Sequence, residues 1–235
     1  MRKKILLPIL LVVAAVIAVS ACSRNAEGQK PTPAMLSDAL PTITDMPGNW
    51  SESQRQVFTV RGAENPSIGP SVWCPQASQV TKNLITLAGK SGADVEMELT
   101  GSTNVRRMMR LQAWSNDEVV AWFRDAKEAV HICDGKTFTD ASGVASTPSI
   151  IEGRDIGDES ISWSQVVEPP AGAGAAKMVS VGRTTIARFG DIIMVLQLGD
   201  AVTGTRTNPF TEDAWWDIVE MAGKKLHDLD KQVHD

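Results

Sequence analysis

The sequence predicts an α+β fold: a single domain built on a mainly antiparallel sheet with flanking helices. Three observations predict it. Several segments alternate apolar and polar side chains, the period of half-buried strands, and short turn sequences join most of them. Two other segments, 115–133 and 208–229, repeat their apolar residues at helical spacing instead. Finally, 43% of the 235 residues are hydrophobic and 22% charged, enough apolar side chain for one sizeable core in a chain of this length.

The N-terminus stands apart from that domain. Residues 1–21 read as a signal peptide: Arg2, Lys3 and Lys4 form a basic start, 5–18 is an apolar run interrupted only by Pro8, and Val19-Ser20-Ala21-Cys22 follows. Small residues before the cut let the backbone lie extended in a peptidase cleft. Cys at the first mature position supplies the sulfur that takes a diacylglyceryl group. Val-Ser-Ala-Cys resembles the bacterial lipobox, which makes Cys22 the lipidation site and implies a lipid anchor on the outer face of the cytoplasmic membrane. Two or three acyl chains hold a protein there stably where one does not. An N-terminal transmembrane helix and plain secretion with an incidental Cys are the alternative readings. Residues 22–33 form the lipidated tether, expected to be flexible because SRNAEGQKPTP has no large apolar residue to bury. The domain proper is 34–235. Without the leader, 20 basic residues face 28 acidic ones, a net −8. Such a surface repels polyphosphate, so no nucleic-acid partner is expected.

Within the domain, 34–40 reads as a short helix stopped by Pro41, and Pro47-Gly48-Asn49 as a turn leading into Trp50. A first strand is expected at 53–60 and a helix at 75–87, with Pro75 in its first turn. Val95, Met97 and Leu99 alternate with acids, and Val105, Met109, Leu111 and Ala113 alternate with Arg106, Met108, Arg110 and Gln112, giving two more strands. At 115–133 the helix opens on a capping box, Ser115 and Glu118, and carries the stripe Val119, Trp122, Phe123, Ala126, Val130, Cys133 before Asp134-Gly135 ends it. Strands at 137–139, 149–152 and 159–167 follow. In the last, Ile161, Trp163 and Val167 face one way and Ser160, Ser162 and Ser164 the other. Strands 177–189 and 191–198 meet at Gly190-Asp191, a hairpin signal. Residues 192–198 are almost continuously apolar, so this strand should be central and covered on both faces. The last helix opens after Asn208-Pro209, buries Phe210, Ala214, Trp215, Ile218, Val219, Ala222 and Leu226, and should fray in the charged tail after Leu229. The short turns between strands place the helices on one side of the sheet.

Chemical motifs are few. Ala88-Gly89-Lys90-Ser91 ends like a phosphate-binding loop, but Leu84 stands where the loop's first Gly belongs. Gly172-Ala173-Gly174 has no third Gly for a dinucleotide fingerprint, and no Gly-x-Ser-x-Gly elbow occurs. His131 lies in the 115–133 helix, while His227 and His234 sit near the C-terminus beside Asp228, Asp230 and Asp235, a solvated helix end rather than a cation site. Arg107 alternates to the face opposite Arg106 and Arg110, as on an ordinary sheet surface. No catalytic set, metal site or cofactor is expected. Besides Cys22 only Cys74 and Cys133 remain, and export to an oxidising compartment favours a disulfide between them. Zinc with His131 lacks a fourth ligand near Cys74.

The order of these features resembles a known family. A lipobox Cys is followed by LPTITDMPGNW with its Asp-x-Pro-Gly-x-Trp turn. Trp73-Cys74 comes next, then a helix with Trp122-Phe123 ending in Ile132-Cys133, and finally a hairpin reading RTTIARFGDIIMVLQLG. This resembles the extracellular sensor domain of mycobacterial PknH-type serine/threonine kinases, which also occurs detached in actinobacterial lipoproteins. The resemblance implies an antiparallel sheet flanked by helices, a ligand cleft, and two disulfides. Cys74 and Cys133 match one pair, and the second pair is missing. The expected function is a membrane-anchored, ligand-binding, sensor-like module without catalytic activity. A carrier of envelope lipids or glycolipids is the alternative. A small amphiphilic or glycan ligand is expected in a cleft beside the strand 105–114 and the hairpin 177–198, where Arg and Thr side chains would line an apolar floor.

Overall fold

The computed structural model describes residues 30–59, 76, 91–99, 107–115, 119–170, 178–203 and 211–235. Its strands are β1 (Trp50–Thr59), β2 (Ser91–Leu99), β3 (Arg107–Ser115), β4 (Phe138–Thr139), β5 (Ala145–Ile150), β6 (Glu159–Glu168), β7 (Met178–Phe189) and β8 (Ile192–Thr203). The described helices are α1 (Pro33–Ala39), α2 (Val119–Cys133) and α3 (Glu212–His234). All eight strands join one sheet in the order β1-β2-β3-β8-β7-β6-β5-β4, and every neighbouring pair is antiparallel. The fold is therefore the expected α+β class.

The order has a simple origin. β1 to β3 form a meander. The chain then leaves through α2 to the far edge and returns through β4 to β8, so that the last strand closes against β3. Phe189 pairs with Ile192 across Gly190-Asp191, the expected tight hairpin, and Gly190 supplies a φ of +53° there.

Helices cover both faces, which corrects the one-sided arrangement expected from the turns. On β8, Ile192, Met194, Leu196 and Leu198 belong to a core with Leu36 and Leu40 of the α1 segment and Trp215, Ile218, Val219, Ala222 and Leu226 of α3. Ile193 and Val195 point the other way, into a second core with Val119, Trp122, Phe123, Ala126 and Val130 of α2 and Ile161, Trp163 and Ile186 of the sheet. The continuous apolar run of β8 is the cause: a strand apolar on both sides needs a cover on both sides. Short turns between strands constrain only the strands. The crossing of α2 from the middle of the sheet to its edge decides that helix's face.

The segment after the tether is fastened to the α1/α3 face. Thr32 Oγ1 accepts from Met35 N at 3.2 Å, an N-cap ahead of Pro33. Arg55 of β1 donates to Ser37 O and Pro41 O, each at 2.7 Å, and takes up carbonyls where α1 ends. In the Asp-x-Pro-Gly-x-Trp turn, Asp45 accepts from Thr42 N at 2.7 Å and from Lys225 Nζ of α3 at 2.6 Å. Trp50 buries its ring in the core and donates Nε1 to Pro47 O at 3.1 Å. Thus the resemblance motif is a clasp between the N-terminal segment and α3. The Lys225 ammonium, with the Thr42 amide, holds the Asp45 carboxyl down to about 2.

Some expected boundaries move. β1 starts at Trp50 rather than 53 because Trp50 pairs with Leu99, and β2 starts at Ser91 rather than 95 because Ser91 pairs with Thr59 and Ser115. β5 spans Ala145–Ile150, earlier than the expected 149–152. α3 does not stop at Leu229: Leu229 is buried and Val233 packs on the core, so the charged tail stays helical to His234. Ser115 ends β3, and Glu118, the other half of the expected capping box, lies outside the described residues, as does all of the expected 75–87 helix except the helical Gln76. Among the described residues, no helix is long and apolar enough to cross a membrane.

Candidate functional site

Among the described residues, α2 packs on one end of its sheet face. It lies over the hairpin end of β7 and β8, where Ile186, Ile193 and Val195 are apolar. Further along the same face the sequence changes character. Gln197 follows Val195 on β8, and Thr184 precedes Ile186 on β7; the register sets them directly opposite each other. One step beyond, the face carries Gly199 and Gly182, also directly opposite. Alternation fixes this: 182, 184 and 186 share a face, as do 195, 197 and 199.

The patch is polar and largely buried: Thr184 is 7% exposed, Gln165 5% and Asp94 2%. Gln165, opposite Gly182 on β6, donates Nε2 to Ser146 Oγ at 2.5 Å. On the other face, Thr185 and Ser162 share a hydrogen bond of 2.7 Å with both residues buried.

The polar face continues across the sheet. Gln197 is opposite Arg110 of β3, Arg110 is opposite Glu96 of β2, and Glu96 is opposite Gln54 of β1. In the adjacent row Gln56 Nε2 donates to Asp94 Oδ2 at 3.4 Å, and Asp94 is buried. The row is thus rich in amides and carboxylates, with a single guanidinium-bearing position. No nucleophile and base converge on it among the described residues, and none of their His, Cys, Asp and Glu side chains group in threes around a metal position.

The residues singled out in the sequence fall as follows. Cys22, Cys74 and Arg106 lie outside the described residues. Cys133 closes α2, is 1% exposed and is not a free thiol. In the register of β3, Arg107 is opposite Asp200 and Arg110 opposite Glu96. The Arg and Thr residues expected to line a cleft on β7 divide. Arg183 points to the α3 side and donates to Thr211 O at 3.1 Å, Thr185 is tied to Ser162, and Thr184 lies on the α2 face. The C-terminal acids scatter likewise. Asp228 pairs with Lys224 at 2.6 Å, while Asp230 turns inward toward Gly190, its carboxyl raised above the usual carboxylate range by burial. His234 Nδ1 lies 2.8 Å from Asp230 O and 3.4 Å from its carboxylate, and His227 lies against Phe189. The glycines and Gln197 were not singled out in sequence. The one available signal was glycine inside two strand interiors.

No family model and no curated protein matches the chain. Solved structures give distant likenesses. An uncharacterised protein of Mycobacterium smegmatis, the Rv0999 ortholog, is similar over 89% of this chain and 99% of its own at 11% identity and a TM-score of 0.44. LpqN, involved in cell envelope biogenesis of Mycobacterium tuberculosis, is similar over 72% of this chain and 90% of its own at 16% identity and a TM-score of 0.30. Likenesses this low transfer no activity or ligand to this chain.

Proposed function

We propose that this chain is a lipid-anchored extracytoplasmic module that binds a small ligand beside the polar part of the α2 face and performs no chemistry on it. The observation that carries the reading is the polar row of Thr184, Gln197 and Glu96 that continues this face beyond Ile186 and Val195. The motif order shared with PknH-type sensor domains supports a sensor-like role. The leader and Val-Ser-Ala-Cys support anchoring through Cys22 on the outer face of the cytoplasmic membrane. A disulfide from Cys133 to Cys74 would tie α2 to the segment between β1 and β2. Two free thiols titrated in the unfolded, unreduced protein would contradict that pairing. Cys22→Ser should leave an uncleaved or soluble form, and a variant that still partitions into detergent as a mature lipoprotein would overturn the anchor.

The ligand reading is tested by thermal shift against a panel of envelope lipids and glycans. A ligand bound only by the native state and present at 100 times its Kd adds about 2.7 kcal/mol, which raises the midpoint of a domain this size by roughly 5 to 10 °C. A shift with an apolar lipid alone would favour the carrier. No shift across the panel, or turnover of any member, would overturn the reading.

A further inference from the structure

We infer that the end of α3 is a pH-sensitive latch: its last turns hold to the β7–β8 hairpin through Asp230 while His234 carries a proton, and loosen when His234 loses it. The inference goes beyond the ligand-binding reading and stands without it.

The latch lies where three segments meet. Asp230 of α3 turns inward onto the hairpin turn, where a Cβ on Gly190 would strike its Oδ1 first. The turn itself is firmly held. Gly190 N donates to Asp158 Oδ2 at 2.8 Å, and Arg188 donates to Gly190 O at 3.1 Å. Asp230 Oδ1 is shut off from solvent and accepts no hydrogen bond among the described residues. Three residues earlier His227 lies tilted against Phe189, and three residues later Val233 packs on the core.

The charges around Asp230 leave it one close cation. Asp158 and Asp191 act on it from the hairpin side. Arg188 is engaged by Asp158 at 3.0 Å and Glu159 at 3.3 Å, and Lys127 of α2 reaches Glu159 at 3.5 Å. On α3 itself, Lys224 and Lys231 act on Asp228, and the ring of His227 is against Phe189. His234 is the close partner: its Nδ1 stands 2.8 Å from Asp230 O and 3.4 Å from Asp230 Oδ1. A protonated ring donates Nδ1–H to that carbonyl, and a cation also suits the last turn of a helix.

Both titrations push the same way. Burial, then the nearby Asp158 and Asp191, raise the Asp230 carboxyl above its ordinary 3.8, so ionising it weakens the folded end as pH rises through that raised value. The bond to Asp230 O, then the charges of Asp230, Asp191 and Asp235, raise His234 above its ordinary 6.5. Its contribution is complete below 6.5 and is lost as pH rises through the raised value. Beyond that point an inward carboxylate faces two others without its cation. It sits near a helix end, where local opening costs least.

The experiment follows amide hydrogen exchange and histidine ring titration by NMR on the full-length protein in detergent. Protection of amides 231–235, corrected for intrinsic rates, should fall about twofold or more between about pH 5.5 and 8.5, the scale of an i,i+4 pair. Amides 215–225 should hold constant. His234 should titrate above 6.5, and Asp230→Asn should lower its midpoint and flatten the pH dependence of protection. His234→Gln should remove the fall, and His227→Gln should keep it. A packing role alone for His234 would lower protection equally at both pH values in His234→Gln and leave the fall in place. Wild-type protection that does not change with pH, a His234 that titrates at or below 6.5, or a fall that survives in His234→Gln would overturn the latch.

Discussion

The two faces of the sheet are made by the same strands and are finished differently. On the α1/α3 face, side chains are committed to the fold. Leu36, Trp215, Ile218, Val219 and Leu226 are fully buried, Ser162 and Thr185 bond to each other, Arg55 caps α1, and Asp45 holds Lys225. On the α2 face the apolar core ends at Ile186 and Val195, and beyond it the strands set Thr184 opposite Gln197 and Gly182 opposite Gly199. The α1/α3 face stays apolar past the point where the α2 face turns polar, with Leu198 still in its core.

The largest effect should come from the filled face. Trp215→Ala removes a fully buried indole from its core and should cost about 3–5 kcal/mol in denaturant unfolding. Trp215→Phe should cost much less, because the indole Nε1 makes no hydrogen bond that would be lost. Comparable losses for both variants would mean that this nitrogen is satisfied after all.

On the α2 face, the proposed Cys74–Cys133 bridge would fasten the end of α2. Replacing Cys74 and Cys133 together should remove about 2–4 kcal/mol if they are bonded, from the freedom regained by the unfolded chain. Local exchange of α2 amides should rise more than that of α3. An equal rise in both helices would show that the bridge does not act on one face.

How much of this contrast was legible follows from physics at each place. The cover on both sides of β8 could be read directly, since five consecutive apolar residues, Ile192 to Leu196, leave no solvent face at the hairpin end. The α2 stripe and the Gly190 hairpin were equally legible, being local. The choice of face for each helix was not, because an amphipathic stripe says that a helix packs and not on which side of a two-sided sheet. The helical tail of α3 was hidden by its charges: Leu229 and Val233 are spaced to continue the stripe, but Asp228, Asp230 and Lys231 between them read as solvent. The site was least legible. Thr184 and Thr185 look alike in sequence, and only the register shows that one meets Ser162 while the other stands between Trp163 and Gln197. Cys22 and Cys74 lie outside the described residues, so the expected lipidation and the expected disulfide rest on residue type alone.

A smaller, pH-dependent effect belongs to the Asp45 clasp. Its carboxyl sits at about 2 against an ordinary 3.8, so its stabilisation is fully present above the ordinary value and is lost as pH falls through 4 toward 2. The pair is partly solvated, which screens it to about 1 kcal/mol. Asp45→Asn should be less stable by that amount at pH 7 and should show a shallower loss of stability between pH 4 and 2. Parallel acid profiles for the two proteins would remove the clasp from the filled face.

The most direct measurement is a paired unfolding and binding experiment on Thr184→Val combined with Gln197→Leu, which replaces the hydroxyl and the amide that stand opposite each other beyond α2. The account predicts a free energy of unfolding within about 1 kcal/mol of wild type, together with loss of the ligand-induced rise in midpoint. A double variant destabilised by more than about 1 kcal/mol, the usual net worth of an internal hydrogen bond, or one that still responds to the ligand, would contradict it.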